Sequence, residues 1–215
     1  MEYIQKNVKK NLSVNMLAGQ IISVCSSFYQ EQPGDDATFI AAAIRQPSYL
    51  SIMAGPPFDP SMDIAAVKAF MNEPGIKAIC GGTTANIVSR CINKPIRTVL
   101  EYEDPDIPPI AYIDGIALVT EGVLTLNKVL ENLKFIYKGS MFPYKVIYRE
   151  EDGASKLTRI LLDECTHIKI YIGRAVNPAH QNPDSFRTLR AKTDILDEIE
   201  KVLTLLGKEV SKIYY

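Results

Sequence analysis

The sequence predicts an α/β fold, a mainly parallel β-sheet with helices on both faces in a three-layer, Rossmann-like arrangement, preceded by one helix and one strand. Three observations carry this expectation. Short apolar runs recur from Tyr49 onward, each is followed by a loop rich in Gly, Pro or polar residues, and most of these loops lead into apolar residues at helical spacing. Strands that alternate with helices are joined by crossovers, which make neighbouring strands parallel and cover both faces of the sheet.

Ser13 is placed to cap a helix reaching about Tyr29, in which Val14, Leu17, Ile21, Val24 and Phe28 form one apolar stripe. A polar turn ending in Pro33-Gly34-Asp35-Asp36 follows, and Ala37 to Arg45 reads as a buried strand stopped by Pro47. Tyr49 to Ala54 is the next strand, ending at Gly55-Pro56-Pro57-Phe58-Asp59-Pro60. Ser61 then caps a helix that places Ile64, Val67 and Met71 on one face, with Pro74-Gly75 as its stop. Ile76 to Cys80 is a strand, Gly81-Gly82-Thr83-Thr84 a loop, and Ala85 to Ile92 a helix buried through Ile87, Val88 and Cys91.

Ile96 to Tyr102 reads as a further strand, and Glu103 to Pro109 as an irregular loop, because its three prolines fix the chain and remove donors. Ile116 to Val119 is a strand followed by Thr120-Glu121-Gly122 and a helix carrying Val123, Leu126, Leu130 and Leu133. An extended piece is predicted over Tyr144 to Tyr148, then a helix capped by Asp152 that passes through Leu157 and Leu161. His167 to Ile172 is a β-branched strand leading into Gly173 and the segment Asn177 to Pro183. Ile195, Ile199, Val202, Leu203 and Leu206 mark a long helix closed by Gly207, and Glu209 to Tyr214 is a terminal strand.

Composition excludes several function classes. The 215 residues carry 24 Lys+Arg against 25 Asp+Glu, a net charge of -1 that does not suit phosphate neutralisation along a nucleic acid. No apolar run approaches the roughly 18 residues of a membrane span, and Met1 to Lys6 lacks the pattern of a secretory leader, so a cytoplasmic location is expected. The four cysteines and two histidines show no metal-ligand spacing, which leaves the thiols as small apolar side chains.

In an open parallel sheet, ligands bind beyond the carboxyl ends of the strands, so the loops after strands hold the candidate residues. Gly81-Gly82-Thr83-Thr84-Ala85-Asn86 has the clearest meaning: two glycines allow close backbone approach, two hydroxyls add donors, and a helix N-terminus favours phosphate or carboxylate. It matches neither a P-loop nor a dinucleotide fingerprint, and a capped turn is the competing reading. Asn177, directly before Pro178, and Gln181 and Asn182, between Pro178 and Pro183, are placed as recognition side chains, with His180 either an acid/base group or a surface histidine. Glu121 either sits on a helix dipole or acts as a catalytic or ribose-binding carboxylate. Asp104 and Asp106 read as loop carboxylates. Asp35 and Asp36 suit a hard divalent cation or are simply solvated.

The helix from Ser13, the string Gly34-Asp35-Asp36-Ala37-Thr38 and the strand to Arg45 resemble the C-terminal end of the metal-dependent serine/threonine phosphatase fold of the stage II sporulation protein E type. Gly55-Pro56-Pro57, Cys80 to Asn86, Val119 to Gly122 and Asn177 to Pro183 look like the additional region that follows the phosphatase in some bacterial members. The resemblance implies an incomplete phosphatase segment over residues 1–45 and an α/β domain over 46–215. It implies Mn²⁺ or Mg²⁺ at a two-metal site, with Asp35 a ligand and Asp36 beside it or at a further metal, and a phosphoprotein as substrate of the complete phosphatase. The family's other metal-binding aspartates lie upstream of this segment, so the 215 residues alone are expected to show little phosphatase activity. Three functions follow as expectations: the C-terminal part of such a phosphatase, whose α/β domain binds a small anion or regulates it; an independent enzyme using Glu121 or His180 on a phosphorylated or carboxylated molecule; or a structural, homodimerising module.

Overall fold

The computed structural model describes residues 13–30, 32, 36, 38–98, 110–139, 147–175 and 184–215, with the backbone alone for 98 and 184–191. The chain divides into two compact units, Met1–Gln46 and Pro47–Tyr215.

The first unit holds helix α1 (Val14–Phe28), started as the sequence predicts by Ser13, whose Oγ accepts the Met16 N–H at 3.1 Å. The expected stripe is only partly buried: Ile21 is inside, whereas Phe28 is 82% exposed. The strand expected up to Arg45 does not form over residues 38–45, where Ile40 and Ile44 are 85% and 106% exposed. A strand must hand its N–H and C=O groups to a neighbour, and this segment pairs with no other among the described residues. Of the helix and strand expected in this unit, the helix forms and the strand does not over residues 38–45.

The second unit is the predicted α/β layer structure. Its elements are β1 (Tyr49–Ala54), α2 (Asp63–Asn72), β2 (Ile76–Cys80), α3 (Gly82–Ile92), β3 (Arg97–Thr98), β4 (Ala111–Ile113), β5 (Ile116–Thr120), α4 (Val123–Tyr137), α5 (Gly153–Arg159), β6 (His167–Ile172), α6 (Asp184–Leu205) and β7 (Glu209–Tyr214). The sheet order is β3-β4-β5-β2-β1-β6-β7. β5, β2, β1, β6 and β7 run parallel, while β4 and β3 add an antiparallel ribbon at one edge.

Strand alternation sorts the core into two faces. Leu50, Ile52 and Ala54 of β1, Ala78 and Cys80 of β2, Leu118 of β5 and Ile168, Ile170 and Ile172 of β6 pack against α4, α5 and α6. Met53, Ile79, Val119 and Tyr171 point the other way, onto Ala66, Val67 and Phe70 of α2 and Ala85 and Val88 of α3. Burial on both sides explains why these strands are near-continuous apolar runs.

Several local expectations are corrected. Asp59, not Ser61, is the cap before α2: its carboxylate accepts the Ser61 N–H at 2.8 Å and starts a 3₁₀ turn over Pro60–Met62. On the helix that follows, Phe70 is buried and Ile64 is 72% exposed. Helix α3 begins at Gly82, which brings Thr83 and Thr84 into its first turn, and Thr84, Ala85 and Val88 are its buried positions. β4 was not predicted; it joins β5 through Asp114-Gly115, with Gly115 at φ 90°. Ile147 is buried in a helical turn, not extended; 144–146 lie outside the described residues, as do 99–109, which include Asp104 and Asp106. Among the described residues no helix is long and apolar enough to cross a membrane.

Candidate ligand site at the carboxyl edge of the sheet

Numbered by their order in the chain, the five parallel strands take the order 3-2-1-4-5. β1 leads through α2 to β2 on one side, and β6 leads through α6 to β7 on the other. Because α2 and α6 lie on opposite faces, the chain diverges beyond the carboxyl ends of β1 and β6, which is where ligands enter doubly wound sheets.

Glycine makes the closest approach at this point. Gly173 N donates to Ala54 O at 3.0 Å and Ala175 N to Pro56 O at 3.2 Å, drawing the two loops together. A Cβ at residue 173 would overlap the carbonyl oxygens of Gly55 and Pro56. Gly55, at φ 90°, has no room either, because a Cβ there would collide with Lys192 Nζ and lie 3.0 Å from Gly173 O. Lys192 reaches in from α6 and donates to Gly173 O at 2.8 Å. Burial of its amine lowers the pKa to about 8.

One strand further on, Gly81 N donates to Thr120 O at 2.9 Å, so the loops after β2 and β5 also meet. A Cβ on Gly122 would lie 3.7 Å from Gly81 Cα. Gly81 takes φ 122°, and space around Gly82 is open to 4 Å. The two threonines of the predicted cradle differ: Thr83 is exposed, whereas Thr84 is 1% exposed. Thr84 Oγ1 has no hydrogen-bond partner among the described residues and faces Gly81, 3.3 Å from where a Cβ would stand. Asn86 is exposed on the following turn. No N–H precedes Ala85 N in the helical hydrogen bonds of α3, so Gly82, Thr83 and Thr84 present the donors that a helix N-terminus leaves open.

Glu121 is committed to its own helix, accepting the Leu124 N–H through Oε2 at 3.2 Å, while Thr120 Oγ1 donates to Glu121 O at 2.8 Å. The N-terminus of α5 joins the same edge, because a Cβ on Gly153 would meet Thr120 Cγ2 at 2.9 Å. Asp152 caps α5 through Oδ1, which accepts the N–H groups of Ala154 and Ser155 at 2.8 and 3.0 Å. Its Oδ2 is buried with no partner. Cys80 is buried beneath this edge, and burial pushes its thiol up to about 11.

The fold thus gathers Gly81, Gly82, Thr84, Glu121 and Gly122 in touching loops, next to the Gly55–Gly173 pair. Asn177, His180, Gln181 and Asn182 lie outside the described residues, and so does Asp35. Asp36 belongs to the first unit. Among the described residues no group of three or more metal-ligating side chains occurs. As site residues, Lys192, Asp152 and Gly173 were missed by sequence reasoning, which read Asp152 as a helix cap alone. Only Gly173 carried a signal, as the glycine that ends a strand.

No protein-family description, curated protein or solved structure matches this chain.

Proposed function

We propose that the α/β unit binds a small anionic molecule, carrying a phosphate or carboxylate group, at the N-terminus of α3. The supporting observation is the buried, unpartnered Thr84 Oγ1 beside Gly81, next to first-turn amides and the open space at Gly82. A buried hydroxyl without a partner costs about 1–3 kcal/mol, a cost that a bound oxyanion relieves. Amides and a helix dipole supply the attraction with no basic patch, in keeping with a net charge of -1. In this reading Gly81, Gly82, Thr83, Thr84 and Asn86 bind the ligand, with Asn177, Gln181 and Asn182 as recognition side chains.

The ligand unit serves, in the same reading, as the sensing part of a phosphatase of the stage II sporulation protein E type, to which Asp35 and Asp36 would contribute metal-binding carboxylates. The support for this second step is the sequence resemblance. The first step is tested by thermal-shift measurements with sugar phosphates and nucleotides: stabilisation is expected, and its survival in Gly82→Val would count against the site. The second is tested by Mn²⁺-dependent phosphoester hydrolysis by the 215-residue chain. Turnover abolished by Asp35→Ala would overturn the claim that this chain alone is catalytically incomplete.

A further inference from the structure

Lys192 differs from the other lysines held against this fold. Lys77 donates to Glu73 O and Gly75 O at 2.6 and 3.0 Å, and Lys208 to Leu162 O and Cys165 O at 2.7 and 2.6 Å. Lys169 pairs with Glu73 at 2.7 Å, and Lys212 pairs with Asp197 and Glu200. Each of these ammonium groups meets two acceptors or a carboxylate. Lys192 Nζ has Gly173 O alone, at 2.8 Å, and no carboxylate partner among the described residues. An ammonium carries three donors, so two remain open.

The position of those donors gives them a use. Nζ lies against Gly55 and Gly173, the residues that end β1 and β6 at the point where the chain diverges. Neither glycine tolerates a side chain, so the backbone there is kept bare around the amine. Among the described residues no carboxylate neutralises it, and Asp197 and Glu200 on the same helix are taken by Lys212. A half-buried cation without a counter-ion is costly unless something anionic arrives.

We infer that Lys192 is the cationic anchor of a ligand at the carboxyl ends of β1 and β6, holding a phosphate or carboxylate group of a small molecule. The inference extends the anion reading of α3: β2 and β6 flank β1, so the two anchors stand about 10 Å apart along the sheet edge, the span of a molecule with two anionic groups. It also supplies the positive charge that amides alone do not.

The test uses the full chain labelled with ¹³Cε-lysine and ¹⁵N, with the Lys192 signal assigned by its loss in Lys192→Arg. Without ligand, Lys192 is expected to titrate near 8, as burial dictates. Saturating inorganic phosphate should raise that midpoint by one unit or more, corresponding to at least tenfold preference for the charged amine, with the other lysines unmoved. Lys192→Met, which keeps the apolar stem, should stay folded and bind phosphate at least tenfold more weakly. Acetate as a parallel probe separates carboxylate from phosphate recognition. Phosphate that shifts the Gly82 and Thr83 amides while leaving Lys192 unmoved would refute the anchor and leave the α3 site standing. Movement of Lys192 without the amides would do the reverse, and no response at either place would sink both.

Discussion

Gly173→Ala puts the close approach of β1 and β6 to a quantitative test. The new methyl group would overlap two backbone oxygens, those of Gly55 and Pro56, which cannot swing aside as a side chain would. Relief requires the two loop ends to part, and the hydrogen bonds from Gly173 N to Ala54 O and from Ala175 N to Pro56 O stretch with them. Each bond contributes about 0.5–1.5 kcal/mol. Overpacking a well-filled site costs about 1–3 kcal/mol more. The sum is a destabilisation of about 2–6 kcal/mol. With a urea dependence of about 2 kcal/mol per molar, the unfolding midpoint falls by about 1–3 M. Gly139→Ala is the control: φ is 74° there, but the space is open, so only the backbone preference is lost, about 1–2 kcal/mol. Urea unfolding followed by circular dichroism reads both. A Gly173→Ala midpoint equal to the wild type, or a larger loss in Gly139→Ala, would refute the reasoning that these loops are locked by contact.

Further outcomes follow from the same geometry. Stability should rise with pH between about 8 and 10.5, because the folded Lys192 releases its proton before the unfolded one does and the unfolded chain then binds more protons. Lys192→Met should remove that rise and be more stable than wild type at pH 7, by up to about 3 kcal/mol; urea midpoints across the range decide it. Gly82→Ala should leave stability unchanged or up to about 1 kcal/mol higher, since the position is helical and open, yet weaken anion binding in the same thermal-shift assay. In the native protein a thiol reagent should modify Cys25 and Cys91 and spare Cys80 and Cys165, with all four reacting in denaturant; rapid native labelling of four thiols would contradict the burial assigned here. Phe70→Ala should cost about 3–5 kcal/mol, against little change for Ile64→Ala, reversing the face expected from spacing alone.

How much of this was legible in the sequence depended on what fixed each element. β1, β2, β5 and β6 were readable because strands buried on both faces are apolar along their length and stop at Gly, Pro or polar residues, whereas β7, an edge strand with no buried residue, was marked by the Gly207 stop before it. Ser13 and Asp152 were readable as caps because their bonds reach only two or three residues ahead. β3, Arg97–Thr98, falls within the strand expected over Ile96 to Tyr102, whereas β4, of three residues, was too short for any period and only Asp114-Gly115 marked its hairpin. Residues 38–45 show the opposite error: an apolar, β-forming composition does not make a strand without a partner. The choice of Phe70 over Ile64 was hidden because each lies three residues from Val67, so helical spacing admits either and only packing against the sheet decides. At the site, the Gly81-Gly82 turn was visible since glycine is diagnostic where backbones must approach. Lys192 was not, because one lysine in a charged helix looks like any other until the fold closes Gly55 and Gly173 around its amine.

The central claim, that the carboxyl edge of this sheet binds an anion at α3, is most directly tested by amide-resolved NMR of the full chain titrated with inorganic pyrophosphate. The account predicts saturable shifts centred on Gly82, Thr83 and Thr84, lost in Gly82→Val. Shifts scattered over the surface lysines, with those three amides unmoved, would contradict it.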